Sequence, residues 1–182
     1  TLRAEEVIRR VLTLYVRMML LDGLFHADPH PGNLLVDETG NLVLLDFGMV
    51  VQVSRERRRA ILDTAFAAIR RDADGVVAGF RALGLIEPTA EPGMLRRLAE
   101  SLLALAARAT TTQERLQYLS EEILATLYDW PIVLPGDMVY FARTAALIEG
   151  LGIRYDARFN ALTVATPILL ELRPQLLRAL RD

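Results

Sequence analysis

The stretch 25–48 constrains the fold most, because it interrupts a chain that is otherwise patterned as helices. Two short apolar runs, 34–36 and 42–45, stand on either side of a polar segment that contains Gly40 and Asn41. Short apolar runs around such a turn predict a β-hairpin, with Gly40 or Asn41 at positive φ. Since a two-stranded hairpin is marginally stable by itself, we expect it to lie on the helices.

The rest of the sequence predicts helices. Apolar residues recur with helical spacing over 2–21, and Gly23 follows as a stop signal. Spacing and capping residues predict further helices over 55–71 after Ser54, from Asp72 or Asp74 to about Gly84, over 91–108, 114–127 and 135–151, and after Pro167, with a kink at Pro174. We therefore predict a mainly α fold with a small β-hairpin (α+β), as a single domain over 1–182 with its helical remainder at 54–182.

Composition narrows the function classes. Hydrophobic residues make up 52% of the 182 positions and charged residues 24%, which is enough for a packed core. The formal net charge of -2 gives no electrostatic ground for binding nucleic acid, so we expect none. The chain has no Cys, which excludes disulfides and thiolate metal sites. It also lacks any run of 18 apolar residues that would predict a transmembrane helix.

Polar side chains collect at one end of the predicted hairpin. Asn33 directly precedes the first strand, and Asp46 follows the second strand 13 positions later. Asp28 lies on the loop that leads to the same end. Because a hairpin brings the start of one strand next to the end of the other, we expect these side chains to lie close together. Carboxylate and amide oxygens suit Mg²⁺ better than zinc.

Two other interpretations of these residues are open at this point. Asp and Asn are common in turns because their side chains bond nearby backbone groups, so each residue taken alone could be structural. Alternatively, His26, Asp28 and His30 could hold zinc, although structural zinc usually has four Cys or His ligands. The joint pattern of an Asp, an Asn five positions later, a hairpin and then Asp-Phe-Gly favours the Mg²⁺ interpretation.

The pattern resembles the catalytic half of a protein-kinase-like fold. In kinases, the Asp of a His-Arg-Asp loop accepts the substrate hydroxyl proton, and a later Asn and the Asp of Asp-Phe-Gly hold Mg²⁺. His26-Ala27-Asp28 stands at the first of these positions, with Ala27 in place of the Arg, and Asp46-Phe47-Gly48 at the last. The absence of this Arg puts regulation by activation-loop phosphorylation in doubt.

Three segments are similar in sequence to the UbiB family of atypical kinase-like proteins, which is linked to ubiquinone biosynthesis and isoprenoid-lipid metabolism. They are "GLFHADPHPGNLLV", "LLDFGMV" and the late "LPGDMVYFARTAALIEGLGIRYDARFN". The turn Tyr155-Asp156-Ala157 departs from the Leu-Asp-Pro usual in that family. The resemblance covers nearly the whole chain and is strongest over 23–50, which holds the catalytic loop and the Asp-Phe-Gly segment.

The resemblance implies ATP and Mg²⁺ as cofactors. Asp28 would be the catalytic carboxylate, Asn33 and Asp46 the Mg²⁺ ligands beside the nucleotide, and Gly48 would let the backbone bend after them. Phe47 would pack into the core and set the angle of Asp46. The implied function is an atypical kinase or ATPase that supports ubiquinone or isoprenoid-lipid biosynthesis. A quinone precursor or isoprenoid lipid would be its partner, in the bacterial cytoplasm or at the periphery of the inner membrane.

Two alternatives to this function stay open. One is a non-catalytic, pseudokinase-type scaffold of a biosynthetic complex, and the other is a small-molecule phosphotransferase similar to aminoglycoside and choline kinases. The chain contains no Lys, whereas kinase-like enzymes hold the α- and β-phosphates with a Lys of the small lobe. We therefore expect the chain to be the large-lobe portion, with the small lobe absent from it. Glu149, on an otherwise apolar helix, is expected to pair with an Arg.

Overall fold

A computed structural model describes residues 3–108 and 132–181. They divide into two compact units, one formed by Thr1–Arg58 with Gly136–Asp182 and the other by Arg59–Pro135. The predicted helix over 114–127 lies outside the described residues. The single domain predicted over 1–182 stays a prediction.

The described residues are mainly helical, with two small antiparallel strand pairs. In chain order the elements are α1 (Ala4–Val16), a π-helical turn (Arg17–Asp22), β1 (Leu24–His26), β2 (Leu34–Val36), β3 (Leu42–Leu44), β4 (Val50–Gln52), α2 (Arg55–Ile69), α3 (Ala73–Ala82), α4 (Pro92–Arg108), α5 (Gly136–Tyr155) and α6 (Ala161–Ala179). The prediction of a mainly α fold with a small β-hairpin is confirmed.

The predicted hairpin is the pair β2–β3. Leu34 lies opposite Leu44, and Gly40 takes the positive φ, at 89°. The turn is held to α1 by the Arg10 guanidinium, which donates to the Gly40 carbonyl at 2.7 Å. Several apolar side chains of the hairpin remain exposed, so it rests on α1 through its turn more than through its strand faces.

The sequence did not predict the second pair, β1–β4. Its strands are antiparallel and place His26 opposite Val50. Three-residue strands are too short to show the alternation by which a strand is recognised. The pair joins the two ends of the 25–48 stretch, so both edges of the polar loop are anchored.

Helix α1 packs on α5 and α6 to form the core of the first unit. Its buried residues are Ile8, Val11, Leu12 and Tyr15, at the spacing of one helix face. The α6 face opposite them presents Ile168, Leu172 and Leu176. The described helices include none long and apolar enough to cross a bilayer.

Helix α6 differs from its prediction. It does not begin after Pro167 but at Ala161, where the Asn160 side chain caps it by accepting from the Thr163 N–H at 3.1 Å. It then runs through both Pro167 and Pro174. Each internal proline removes a backbone hydrogen bond, but the continuous buried face on α1 keeps the helix in one piece.

The first helix also differs from the predicted span of 2–21. The α-helical part ends at Val16, and the chain continues as the π-helical turn until Gly23, which takes φ 72°. Arg58 donates to the carbonyls of Leu20 and Leu21, at 3.4 and 2.6 Å, as a cation near a helix C-terminus should. A Cβ at Gly23 would press on the Arg58 guanidinium, so glycine is required here for its φ and for space.

The second unit contains most of α2 together with α3 and α4. Its helices α3 and α4 pack on each other, around Ala67, Val76 and Ala99. The predicted cap Asp72 accepts from the Gly75 N–H at 2.9 Å and starts α3. An isolated bridge pairs Ile86 with Ile132.

Candidate active site

The polar loop and the Asp-Phe-Gly segment lie side by side. The Ala27 N–H donates to the Met49 carbonyl at 2.9 Å, and the Leu45 N–H donates to the Asn33 carbonyl at the same distance. Asn33 is therefore paired with the residue that precedes Asp46. The structure thus brings the two ends of the hairpin together, as the sequence predicts.

His26 connects the two segments and is almost fully buried. Its Nε2 lies 2.8 Å from the Asp46 carbonyl oxygen and 3.1 Å from that of Leu45. Its Nδ1 accepts from the Asp28 N–H at 3.2 Å. Since carbonyls only accept and the backbone N–H only donates, the imidazole is neutral with its proton on Nε2. His26 therefore braces the loop and has no ring nitrogen left for a metal.

The loop from Asp28 to Asn33 is held by its own backbone. The Asp28 carbonyl accepts from the His30 N–H at 2.7 Å and from the Asn33 Nδ2 at 3.3 Å. The Asn33 N–H donates to the His30 carbonyl at 2.8 Å. Its Nδ2 is bound to the loop, so Oδ1 is the atom of Asn33 that could hold a cation. His30 is exposed, in line with a loop-surface residue.

Asp46 has a strained backbone. Its φ of 54° lies in the left-handed region, which Asp tolerates better than most residues. Its Oδ1 accepts from the Gly48 N–H at 3.2 Å, and a Cβ at Gly48 would come within 3.1 Å of that oxygen. The bend predicted at Gly48 is thus made by Asp46, and the glycine provides room for the carboxylate. Strain of this kind concentrates at functional sites.

The position of the Phe47 side chain contradicts the prediction that it packs into the core. It does not pack into the core: 64% of the residue is exposed. Its ring stands edge-on to the His26 imidazole, with centroids 5.6 Å apart. The reversal of the chain at Asp46 turns the next side chain outward, so Phe47 covers His26 from the solvent side instead of filling the core.

Sequence reasoning missed two residues of α5 that reach the loop. Arg143 donates from its Nη2 to Asp28 Oδ1 at 3.3 Å. Thr144, fully buried, donates from its Oγ1 to the Ala27 carbonyl at 3.2 Å. The signal for Arg143 in the sequence is that it is the one charged residue within the apolar segment 138–148. Glu149 accepts from the Ala161 N–H at 2.7 Å, and its predicted Arg partner stays a prediction.

Tyr15 of α1 is the third residue that the sequence did not assign to the site. It is only 1% exposed, and its hydroxyl has no hydrogen-bond partner among the described residues. Burial, together with the negative charge of Asp28, raises the pKa of Tyr15 to about 12. The hydroxyl is therefore neutral at physiological pH and adds no charge beside Asp28.

The donor set fits Mg²⁺ and not zinc. Both nitrogens of His26 are bound to backbone groups, so the zinc set of His26, Asp28 and His30 lacks a ligand. Within 3–108 and 132–181, no group of three or more His, Cys, Asp or Glu residues could hold a metal. Asn33 Oδ1 and the Asp46 carboxylate match the few protein oxygens that Mg²⁺ uses when phosphates and waters complete its shell.

A separate cavity of about 390 Å³ lies in the second unit, between the start of α3 and α4. Its charged side chains largely neutralise each other, since Arg96 lies 3.3 Å from Asp74 and 3.1 Å from Glu100. Its lining includes none of the predicted site residues Asp28, Asn33, Asp46 and Gly48. The candidate active site therefore lies in the first unit, where the loop 28–33 meets Asp46. We call this place the hairpin mouth.

Known proteins are similar in sequence to this chain, including the residues of the candidate site. The family model of the ABC1 atypical kinase-like domain matches residues 1–79. An uncharacterized protein of Synechocystis sp. is 31% identical over 94% of the chain, and ACTIVITY OF BC1 COMPLEX KINASE 7, a chloroplastic protein of Arabidopsis thaliana, is 30% identical over 92%. The chain covers 29% and 24% of these two relatives, so it spans less than a third of their length.

Proposed function

The chain belongs to the ABC1/UbiB family of atypical kinase-like proteins, and from this premise we propose that it forms part of an ATP- and Mg²⁺-dependent kinase or ATPase. The UbiB resemblance of the sequence is thereby confirmed at the level of the family. The residues of the hairpin mouth support the proposed activity.

The observation that carries the proposal is the joint placement of Asp28, Asn33 and Asp46. His26 links the backbone of Asp28 to that of Asp46, and the Asn33 side chain is bonded to the Asp28 carbonyl. One hydrogen-bond network therefore sets all three residues, as a site that positions phosphates requires. Asn33 Oδ1 and the Asp46 carboxylate would hold Mg²⁺, which neutralises phosphate charge when bound. Asp28 would orient the acceptor hydroxyl.

The proposal also covers the phosphate acceptor and the place in the cell where the protein acts. By family resemblance, a quinone precursor or an isoprenoid lipid is the substrate, reached in the cytoplasm or at the periphery of a bacterial inner membrane. This sequence contains no Lys for the α- and β-phosphate contacts that a Lys makes in kinases, so the proposal does not assign those contacts to it.

Calorimetry on the full-length protein tests the proposal. We expect ATP and ADP to bind in the presence of Mg²⁺, and Asp46→Asn to abolish the dependence on Mg²⁺. Glu5→Gln, which removes one exposed carboxylate from α1, is the matched control and should bind as the parent does. A folded parent that binds neither nucleotide, or an Asp46→Asn variant that binds like the parent, would favour the scaffold alternative.

A further inference from the structure

Arg143 is held in place beside the candidate catalytic residue by the packing of α5. Its neighbour Thr144 is fully buried and bonded to the Ala27 carbonyl, one residue before Asp28. Phe141, on the same turn, stands edge-on to Phe25 of β1 with ring centroids 6.3 Å apart. These two contacts fix the helix against the loop, so the base of the Arg143 side chain has a defined position.

The ion pair itself does little for the fold. The Arg143 and Asp28 side chains are 48% and 35% exposed, and their contact is a single N–H···O bond of 3.3 Å. Partly exposed ion pairs of this kind contribute little to stability. A cation that stands on a helix fixed by buried contacts, yet makes only a weak bond to a carboxylate, is available to a stronger anionic ligand.

The guanidinium has the chemistry to bind a phosphoryl group. It carries five N–H donors, and within the described residues it spends one of them on Asp28. Arg binds phosphate oxygens with paired hydrogen bonds and keeps its charge at all physiological pH values. Since the sequence contains no Lys, any side-chain cation that this chain brings to a phosphate is an Arg or a protonated His.

We propose that Arg143 contacts the terminal phosphoryl group of ATP and exchanges its bond to Asp28 for the phosphate oxygens when the nucleotide binds. The exchange releases Asp28 to face the acceptor hydroxyl. This inference rests on the proposed function, because it presumes that ATP occupies the hairpin mouth.

Calorimetric titration of full-length protein with Mg²⁺ and either ATP or ADP tests the contact. Arg143→Gln should weaken ATP binding by about 10- to 100-fold, the range for loss of a charged hydrogen bond, and leave ADP binding nearly unchanged. Arg143→Lys should recover part of the ATP affinity. The control Arg154→Gln removes an exposed Arg 11 residues further along α5, about 16 Å away, and should leave both affinities unchanged.

Asp28→Asn tests the exchange. Without the competing carboxylate, the guanidinium is free before ATP arrives, so ATP should bind more tightly and ADP should not. If Arg143 mediates this gain, it disappears when Asp28→Asn is combined with Arg143→Gln. A gain that survives in the double variant indicates direct repulsion between Asp28 and phosphate and contradicts the exchange.

The outcomes separate this inference from the proposed function. Suppose that the parent binds ATP with Mg²⁺, but that Arg143→Gln weakens the binding of ATP and of ADP equally or weakens the binding of neither. The proposed contact of Arg143 is then wrong, and the proposed function stands. If the folded parent binds no ATP, both are wrong.

Discussion

The imidazole of His26 donates its Nε2–H to the carbonyl of Asp46 across 2.8 Å, although 20 residues separate them in the chain. The same ring accepts the N–H of Asp28 on its Nδ1. One buried side chain thus sets the distance between the residue expected to orient the acceptor and the residue expected to hold Mg²⁺. A neutral histidine does this without adding charge to a site that must admit phosphates.

Replacing His26 should therefore affect both stability and binding. His26→Ala removes packing and both hydrogen bonds, so we expect the free energy of unfolding to fall by about 2–4 kcal/mol. Mg²⁺-dependent ATP affinity should fall as well, because Asp46 loses its backbone restraint. Chemical denaturation and calorimetry give the two values. His30→Ala, at an exposed position, is the control, and equal losses in both variants would contradict the bracing role.

Tyr15 should produce a stability loss at alkaline pH. Its pKa is raised from 10.0 to about 12 by burial and by Asp28, so the folded state holds the proton more tightly than the unfolded state. The stabilisation is complete below pH 10 and is lost as the pH rises from 10 to 12, by up to about 1.4 kcal/mol per pH unit. Tyr15→Phe should flatten this decline in denaturation experiments, and the exposed Tyr155→Phe should not. An unchanged decline in Tyr15→Phe would exclude Tyr15 as its source.

Asp37 should affect stability at the opposite end of the pH scale. Hydrogen bonds from the Thr39 hydroxyl and from Asn41 lower its pKa from 3.8 to about 2. Because the pKa is lowered in the folded state, these hydrogen bonds add to the free energy of unfolding above pH 3.8, and their contribution is lost as the pH falls toward 2. NMR titration of the Asp37 carboxyl measures the pKa directly. Thr39→Ala should move it upward and Thr39→Ser should restore it, whereas equal values in both variants would argue against the hydroxyl as the main cause.

Helix α5 offers a matched pair of glycines. A Cβ at Gly152 would collide with the ring of Phe159, whereas a Cβ at Gly150 would meet no atom within 4 Å. We expect Gly152→Ala to lower the free energy of unfolding by about 1–3 kcal/mol through overpacking. Gly150→Ala should be neutral, or stabilising by up to about 1 kcal/mol, because alanine favours the helix. Thermal denaturation of the two variants compares them, and equal midpoints would show that Phe159 moves aside at little cost.

Short-range patterns in the sequence determined the elements around the site. The hairpin, its glycine turn, the stop at Gly23 and the cap at Asp72 were all predictable, because each depends on residues within a few positions of one another. The approach of Asn33 to Asp46 was predictable for the same reason, since a hairpin brings the start of its first strand next to the end of its second. The kinase-like family could likewise be identified from motifs inside 23–50.

Only the tertiary structure decided how the helices complete the site. Arg143 meets Asp28 across 115 residues, and its neighbour Thr144 reaches the Ala27 carbonyl across 117. Likewise, α6 continues through two prolines because its buried face packs on α1, and Phe47 turns outward because Asp46 reverses the backbone. Local propensities carry no information on which distant surfaces meet, and the burial of those surfaces overrides the propensities where the two conflict.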